Sequence, residues 1–229
     1  MTVQYRIDIR PSPPCPSELH QMLRGVETAT IGHIEHLGFV SDDILPVFPA
    51  RAVGSALTVA APGRDGIIIY KAIDLILPGD ILVIARVDRD DIACVGGGVA
   101  TAAKARGAAG IIIDGPCTDI NELVDIGLPV WCRGRSSKTT NRSYSTGGSV
   151  NVPIACGATA VLPGYVVLAD NEGVFVAEPT RMAELAELAR DRQRRSEALR
   201  SHLAACRSIF DFQKESPREN CVDPDEFAA

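Results

Sequence analysis

GGGVATAAKARGAAGIIIDGPCTDINEL, residues 96–123, is the stretch whose reading decides the fold. Three glycines stand before an alanine-rich run, Val99 to Arg106, that reads as a helix, with Gly107 near its C-terminal end. AGIIIDG (109–115) then reads as a β-branched strand, and Asn121 to Ile126 as a short helix. ILVIARV (81–87), after the sharp PGD turn at 78–80, reads as the strand before the glycines, and LPVWCRG (128–134) as the strand after the short helix. Strand, helix, strand, helix, strand within about fifty residues implies parallel pairing with crossovers, the signature of an α/β fold.

Working outward, AVGSALTVAA (52–61) is a strand of small residues and PGRDG (62–66) a turn. IIIYKAIDLI (67–76) is apolar throughout and fits either a helix or a strand. Residues 17–40 carry Leu19, Met22, Leu23, Val26, Ile31, Ile34 and Leu37 at helical spacings, with Gly32 and Gly38 interrupting them. Residues 134–149, rich in Ser, Thr and Gly, read as a long loop, functional or mobile. Residues 151–179 have turns at about ten-residue spacing and read as antiparallel strands. Thr180 to Phe210 reads as a long helix with Leu185, Leu188, Leu199, Leu203 and Cys206 on one side. The expected division is an N-terminal arm (1–16), one α/β domain (17–179), and a C-terminal helix with a polar tail (180–229).

The bulk composition fits this picture. Of 229 residues 46% are hydrophobic but only 5% aromatic, so the core must be built from Ala, Val, Ile and Leu, as in well-covered sheets. A net charge of −6 argues against nucleic acid as a partner, while a small carboxylated substrate remains compatible with it. Seven cysteines with no C-x-x-C pair suggest neither a zinc site nor a disulfide framework. No apolar run approaches the ~20 residues of a membrane span, and the first residues lack the apolar core of a signal peptide. The expected setting is cytoplasmic.

Two features carry chemistry. Gly96, Gly97 and Gly98 leave backbone N–H groups at a helix start with no side chain in front of them, which suits a carboxylate or phosphate. The alternative is a tight turn that lets the helix pack closely on the sheet. Asp114, Thr118, Asp119 and Glu122 surround the end of a strand, the edge where α/β sheets hold ligands, and their oxygens suit magnesium. The alternative there is a capping box, with Thr118 or Asp119 as N-cap and Glu122 following it. His33 and His36, three apart, have no third metal ligand nearby and fit a packed or interface role. Lys71, Arg133, Arg135 and Lys138 are candidates to hold a substrate carboxylate, and Cys117 has no local His to activate it.

The run from Gly79 to Gly134, with RAVGSALTV (51–59) before it and VPIACGATAVLPGYVVLADNEGVFV (152–176) after it, resembles one family. It is that of the regulator of ribonuclease activity A and the 4-hydroxy-4-methyl-2-oxoglutarate/4-carboxy-4-hydroxy-2-oxoadipate aldolases. The resemblance spans residues 20–190 and implies a swivelling β/β/α sandwich assembled as a homotrimer or a homohexamer, with sites between subunits. It implies a carbon–carbon lyase of the class II pyruvate aldolase or oxaloacetate decarboxylase type, working through a pyruvate enolate stabilised by Mg2+ or Mn2+. Carried onto this sequence, Asp119 takes the metal-ligand place, and Gly97, Gly98, Val99 and Ala100 the place of the carboxylate-binding helix start.

Three positions depart from the aldolase pattern: Thr118 stands where those enzymes have Arg, Gly97 where they carry an acidic residue, and Tyr165 completes a PGY in place of PGD. A substitute cation from Lys71 or Arg133, and a base from His33, are then expected alongside Thr118 and Asp119, with a substrate unlike that of the named aldolases. The family's other branch implies a non-catalytic regulator that binds a protein partner.

Overall fold

A computed structural model describes residues 3–10, 15–88 and 90–215. In chain order the elements are β1 (Tyr5–Ile7), α1 (Ser17–Leu23), α2 (Thr28–Gly32), β2 (Leu45–Pro46), β3 (Ala52–Ala61), α3 (Ile67–Ile73), β4 (Asp80–Arg86), α4 (Gly97–Ala105) and β5 (Gly110–Asp114). There follow α5 (Ile120–Ile126), β6 (Val130–Cys132), β7 (Gly148–Val150), β8 (Ile154–Cys156), β9 (Thr159–Val161), β10 (Val166–Ala169), β11 (Val174–Ala177), α6 (Pro179–Ala204) and α7 (Ile209–Glu215).

The main sheet is mixed, in the order β1-β7-β3-β4-β5-β6-β2. Its centre, β3-β4-β5-β6, is parallel, as the strand–helix alternation requires. Along one edge β3 pairs antiparallel first with β10 and then with β7, which is why it is ten residues long. Period-2 alternation then makes two cores. Leu82, Ile84, Ile111 and Ile113 face α3, α4 and α5, while Ile81, Val83, Ile112 and Trp131 face the β8–β9 hairpin. A third cluster packs α1, α2 and α6 against the far side of β10 and β11 through Leu23, Ile31, Phe175, Met182 and Leu185. The layers are hairpin, sheet and helices, so the α/β class read from the sequence holds.

Several local readings are corrected. Residues 17–40 are not one helix: α1 and α2 are separated by Arg24–Glu27, and Arg51 Nη2 donates to the carbonyls of the buried Leu23 and Val26 at the break. The arm is partly woven in, because β1 pairs with β7 and Arg10 makes a bidentate ion pair (3.0 and 2.6 Å) with the fully buried Asp80. The ambiguous 67–76 segment is helical over Ile67–Ile73. The long C-terminal helix stops at Ala204 and buries Met182, Leu185, Ala186 and Ala189, whereas Leu188, Leu203 and Cys206 are exposed. Alanines on that face let the helix approach β11 more closely than leucines would. Cys221 and the polar tail lie outside the described residues. No described helix is long and apolar enough to cross a membrane.

Candidate functional site

The site forms where α4 and α5 begin. Gly96 enters α4 in an extended conformation, and the first bond of the helix is Ala100 N–H to Gly96 O (3.0 Å). The amide of Ala100, expected to bind substrate, is therefore consumed by the helix. Gly97 N–H is also taken, donating to Asp119 Oδ2 at 3.1 Å. The amides of Gly98 and Val99 have no hydrogen-bond partner among the described residues, and Gly98 is exposed. These two remain to meet an anion, with the dipole of a nine-residue helix behind them.

The glycines are needed for close approach. A Cβ on Gly96 would collide with the Asp119 carboxylate and the Thr118 methyl, and one on Gly97 with the Glu122 carboxylate. Both acids therefore lie directly over the helix start. Asp119 is the N-cap of α5 but sits in the left-handed region (φ 55°) and makes no side-chain cap to its own helix. The capping-box reading thus fails in its detail: the Asp119 side chain caps α4 instead. A left-handed non-glycine residue is uncommon and concentrates at functional sites, and Asp is among those that tolerate it. Thr118 Oγ1 lies 3.3 Å from Asp119 Oδ1 and offers it a neutral donor.

The turn carrying these residues is rigidly held. Thr118 N–H donates to Val95 O (2.9 Å), Cys117 N–H to Gly134 O (2.9 Å) and Ser136 N–H to Cys117 O (2.9 Å). Cys117 has a partner that sequence reading missed: its Sγ lies 3.2 Å from that of Cys132, both buried. The Cys117 thiol donating to Cys132 pulls Cys132 down to about 7, and the same contact, with burial, pushes Cys117 up. Strand β6 brings Cys132 there across fifteen residues, so no local motif announces the pair.

Of the expected cations, exposed Arg135 lies beside the acidic turn, bridged to Cys117, and the other three have partners of their own. Lys71 lies over the Tyr5 ring, 4.9 Å from its centroid. Arg133 is engaged by Asp114 and Asp43, and Lys138 by Asp91 at 2.5 Å. Asp114 itself is buried between Arg133 and the Gly157 amide (2.7 Å) and belongs to the framework. His33 is exposed at the C-terminal cap of α2, in the layer that packs on α6, so one chain does not bring it to α4. His36 is likewise exposed.

Two residues at the site were not anticipated. Tyr70 Oη lies 4.0 Å from where a Cβ on Gly98 would stand, and Arg142 Nη2 donates to that oxygen at 3.1 Å. The ambiguous reading of 67–76 hid Tyr70. The loop reading of 134–149 hid Arg142.

The donor set fits a small hard cation. Magnesium takes one or two carboxylates and keeps several waters, and Asp119 and Glu122 are exposed oxygen donors beside one another over Gly96 and Gly97. Among the described residues no third Cys, His, Asp or Glu joins them.

Comparisons with known proteins identify the family and the fold. The sequence model of the RraA-like family, described as Aldolase/RraA, matches residues 29–176. A protein of Halalkalibacterium halodurans provisionally named a 4-hydroxy-4-methyl-2-oxoglutarate aldolase is 34% identical over 149 residues, 65% of this chain and 70% of that protein. Among solved structures, RraAS2 of Streptomyces coelicolor, described as an unusual member of the RNase ES inhibitor RraA family, superposes with a TM-score of 0.74 at 26% identity. That match covers 83% of this chain and 99% of RraAS2. An uncharacterised protein of Pseudomonas syringae gives a TM-score of 0.77 at 21% identity over 89% of this chain and 96% of its own, a likeness of fold alone. The glycine helix, the acidic turn and the parallel centre of the sheet lie within the matched span, and the chain belongs to the RraA-like (Aldolase/RraA) family.

Proposed function

We propose that the chain is a divalent-cation-dependent carbon–carbon lyase, an aldolase or decarboxylase, acting on a carboxylated 2-oxo acid. The observation that supports it best is the pairing of two free amides, Gly98 and Val99, with two carboxylates, Asp119 and Glu122, at one helix start. Amides take the substrate carboxylate. Asp119, held by Gly97 N–H, and Glu122 beside it would hold Mg2+ or Mn2+, which when bound supplies Lewis-acid stabilisation of the 2-oxo oxygen. In oxaloacetate the C3–C4 bond breaks, its electron pair passes into the C2–C3 enolate, carbon dioxide leaves, and C3 takes up a proton. Thr118 offers a hydroxyl where the family's aldolases are expected to have a guanidinium, so this substrate is expected to differ from theirs.

The active form is proposed to be a homotrimer or homohexamer in the cytoplasm. Exposed Val124 on α5 and the strongly exposed Leu37 support a neighbouring subunit, from which His33 would have to come to serve as a base. A second reading, a regulator that binds a protein partner, is favoured by the likeness to RraAS2.

Oxaloacetate decarboxylation by the purified chain, with and without Mg2+ or Mn2+, separates the two. Cation-dependent turnover that is lost in Asp119→Ala supports the lyase. No turnover, together with no cation binding, would sink it and direct attention to protein partners.

A further inference from the structure

The carboxylate-binding side of the site has a wall that the proposed function leaves unused. Gly96 and Gly97 face Asp119 and Glu122, while Gly98, a further step around the helix, faces Tyr70. The mouth of α4 is therefore acidic on one side and lined by Tyr70 and Arg142 on the other. The guanidinium of Arg142 lies against the Tyr70 ring, 5.0 Å from its centroid, as well as donating to its hydroxyl.

The segment carrying Arg142 is fixed to the body on both sides. Thr140 N–H donates to Ala93 O (3.0 Å), Asn141 N–H to Arg64 O (2.7 Å), and Gly66 N–H to Asn141 O (2.9 Å). Beyond it, Ser145 N–H donates to the buried Asp65 (2.6 Å). Arg142 has no carboxylate partner among the described residues, unlike Arg133 and Lys138. An arginine held by an aromatic phenol, with most of its five donors unspent, is a preorganised anion receptor.

We propose that Arg142, positioned by Tyr70, is the cation that pairs with the substrate carboxylate seated on the Gly98 and Val99 amides. It rests on the reading of this helix start as a carboxylate site and names the residue that gives the site its charge selectivity. Arg142 then binds, and Tyr70 is a positioning residue that acts through it. A fork of this kind adds one or two charge-assisted hydrogen bonds, about tenfold to a hundredfold in affinity.

The test is calorimetric titration of oxalate into the Mg2+-loaded full chain. The variants are Arg142→Gln, Arg142→Lys, Tyr70→Phe and Arg135→Gln, the last removing an exposed arginine beside the acidic turn. Expected is a loss of about tenfold or more in Arg142→Gln, partial rescue in Arg142→Lys, a smaller loss in Tyr70→Phe and none in Arg135→Gln, with Mg2+ affinity unchanged throughout. Equal oxalate affinity in wild type and Arg142→Gln overturns the proposal, as does a loss that follows Arg135→Gln instead. If oxaloacetate turnover persists in Arg142→Gln with an unchanged KM, the lyase reading stands and this assignment falls. If wild type binds no oxalate at all, both fall together.

Discussion

Asp119 caps a helix to which it does not belong: its carboxylate receives the N–H of Gly97, 22 residues earlier in the chain, at 3.1 Å. That bond ties the start of α4 to the turn before α5 and aims the other carboxylate oxygen outward, toward Thr118. The backbone is bent into the left-handed region at Asp119 to make it so. One residue thus serves structure and, in the proposed lyase, cation binding.

Asp119 variants separate these roles. Asparagine tolerates the left-handed conformation and keeps an acceptor for Gly97 N–H, so Asp119→Asn should melt close to wild type yet lose cation affinity. Asp119→Ala should lose the cation and, in addition, about 1 kcal/mol of stability. Thermal melts beside Mn2+ titration check both.

Glu122 occupies the space a side chain at position 97 would need. Gly97→Ala should therefore be more favourable in a Glu122→Ala background than in wild type, by a coupling of about 1 kcal/mol. A double-mutant cycle in urea reads it. Additive effects would show that the Glu122 carboxylate swings aside freely.

Arg133 joins Asp114 and Asp43 and, through Asp114, the amide of Gly157 on the β8–β9 hairpin. Arg133→Ala should cost about 2 kcal/mol, because it leaves a nearly buried carboxylate without its counter-charge. Its oxalate affinity should stay at the wild-type value, in contrast to Arg142→Gln.

Glu35 accepts the Leu37 amide, the Arg181 guanidinium and the His36 amide, which together hold its carboxyl at about 2, against an ordinary 4.5. A depressed carboxylate contributes stability above its unfolded value, and that contribution is lost as pH falls through its folded one. Wild type should therefore exceed Glu35→Gln in stability above pH 4.5, and the gap should close as the pH is taken down toward 2. Urea midpoints across that range measure it.

The parallel core was legible because Ile111–Ile113 and Ile81–Ile84 are continuous apolar runs punctuated by glycine turns, and the glycine helix follows from composition alone. The breaks were less so. Residues 17–40 show helical spacings with interruptions expected at Gly32 and Gly38, whereas the break falls at Arg24–Glu27, where Arg51, far along the chain, donates to the Leu23 and Val26 carbonyls. In the site, the glycines and Asp119 were readable because close approach demands small residues and a strand end demands a ligand edge. Tyr70, Arg142 and the Cys117–Cys132 contact were not, since each is a meeting of distant segments with no spacing of its own. Of the cations chosen from sequence, Lys71 stacks on the Tyr5 ring and Arg133 is paired with Asp114 and Asp43, contacts between distant segments that no local spacing announces.

Whether this helix start supports formation of a pyruvate-type enolate is measured most directly by exchange of the pyruvate methyl protons with deuterium oxide, followed by proton NMR. The expected result is exchange that requires Mg2+ or Mn2+, is abolished in Asp119→Asn and is slowed in Arg142→Gln. A wild-type protein that is folded, binds the cation and pyruvate, and exchanges no methyl protons would contradict it.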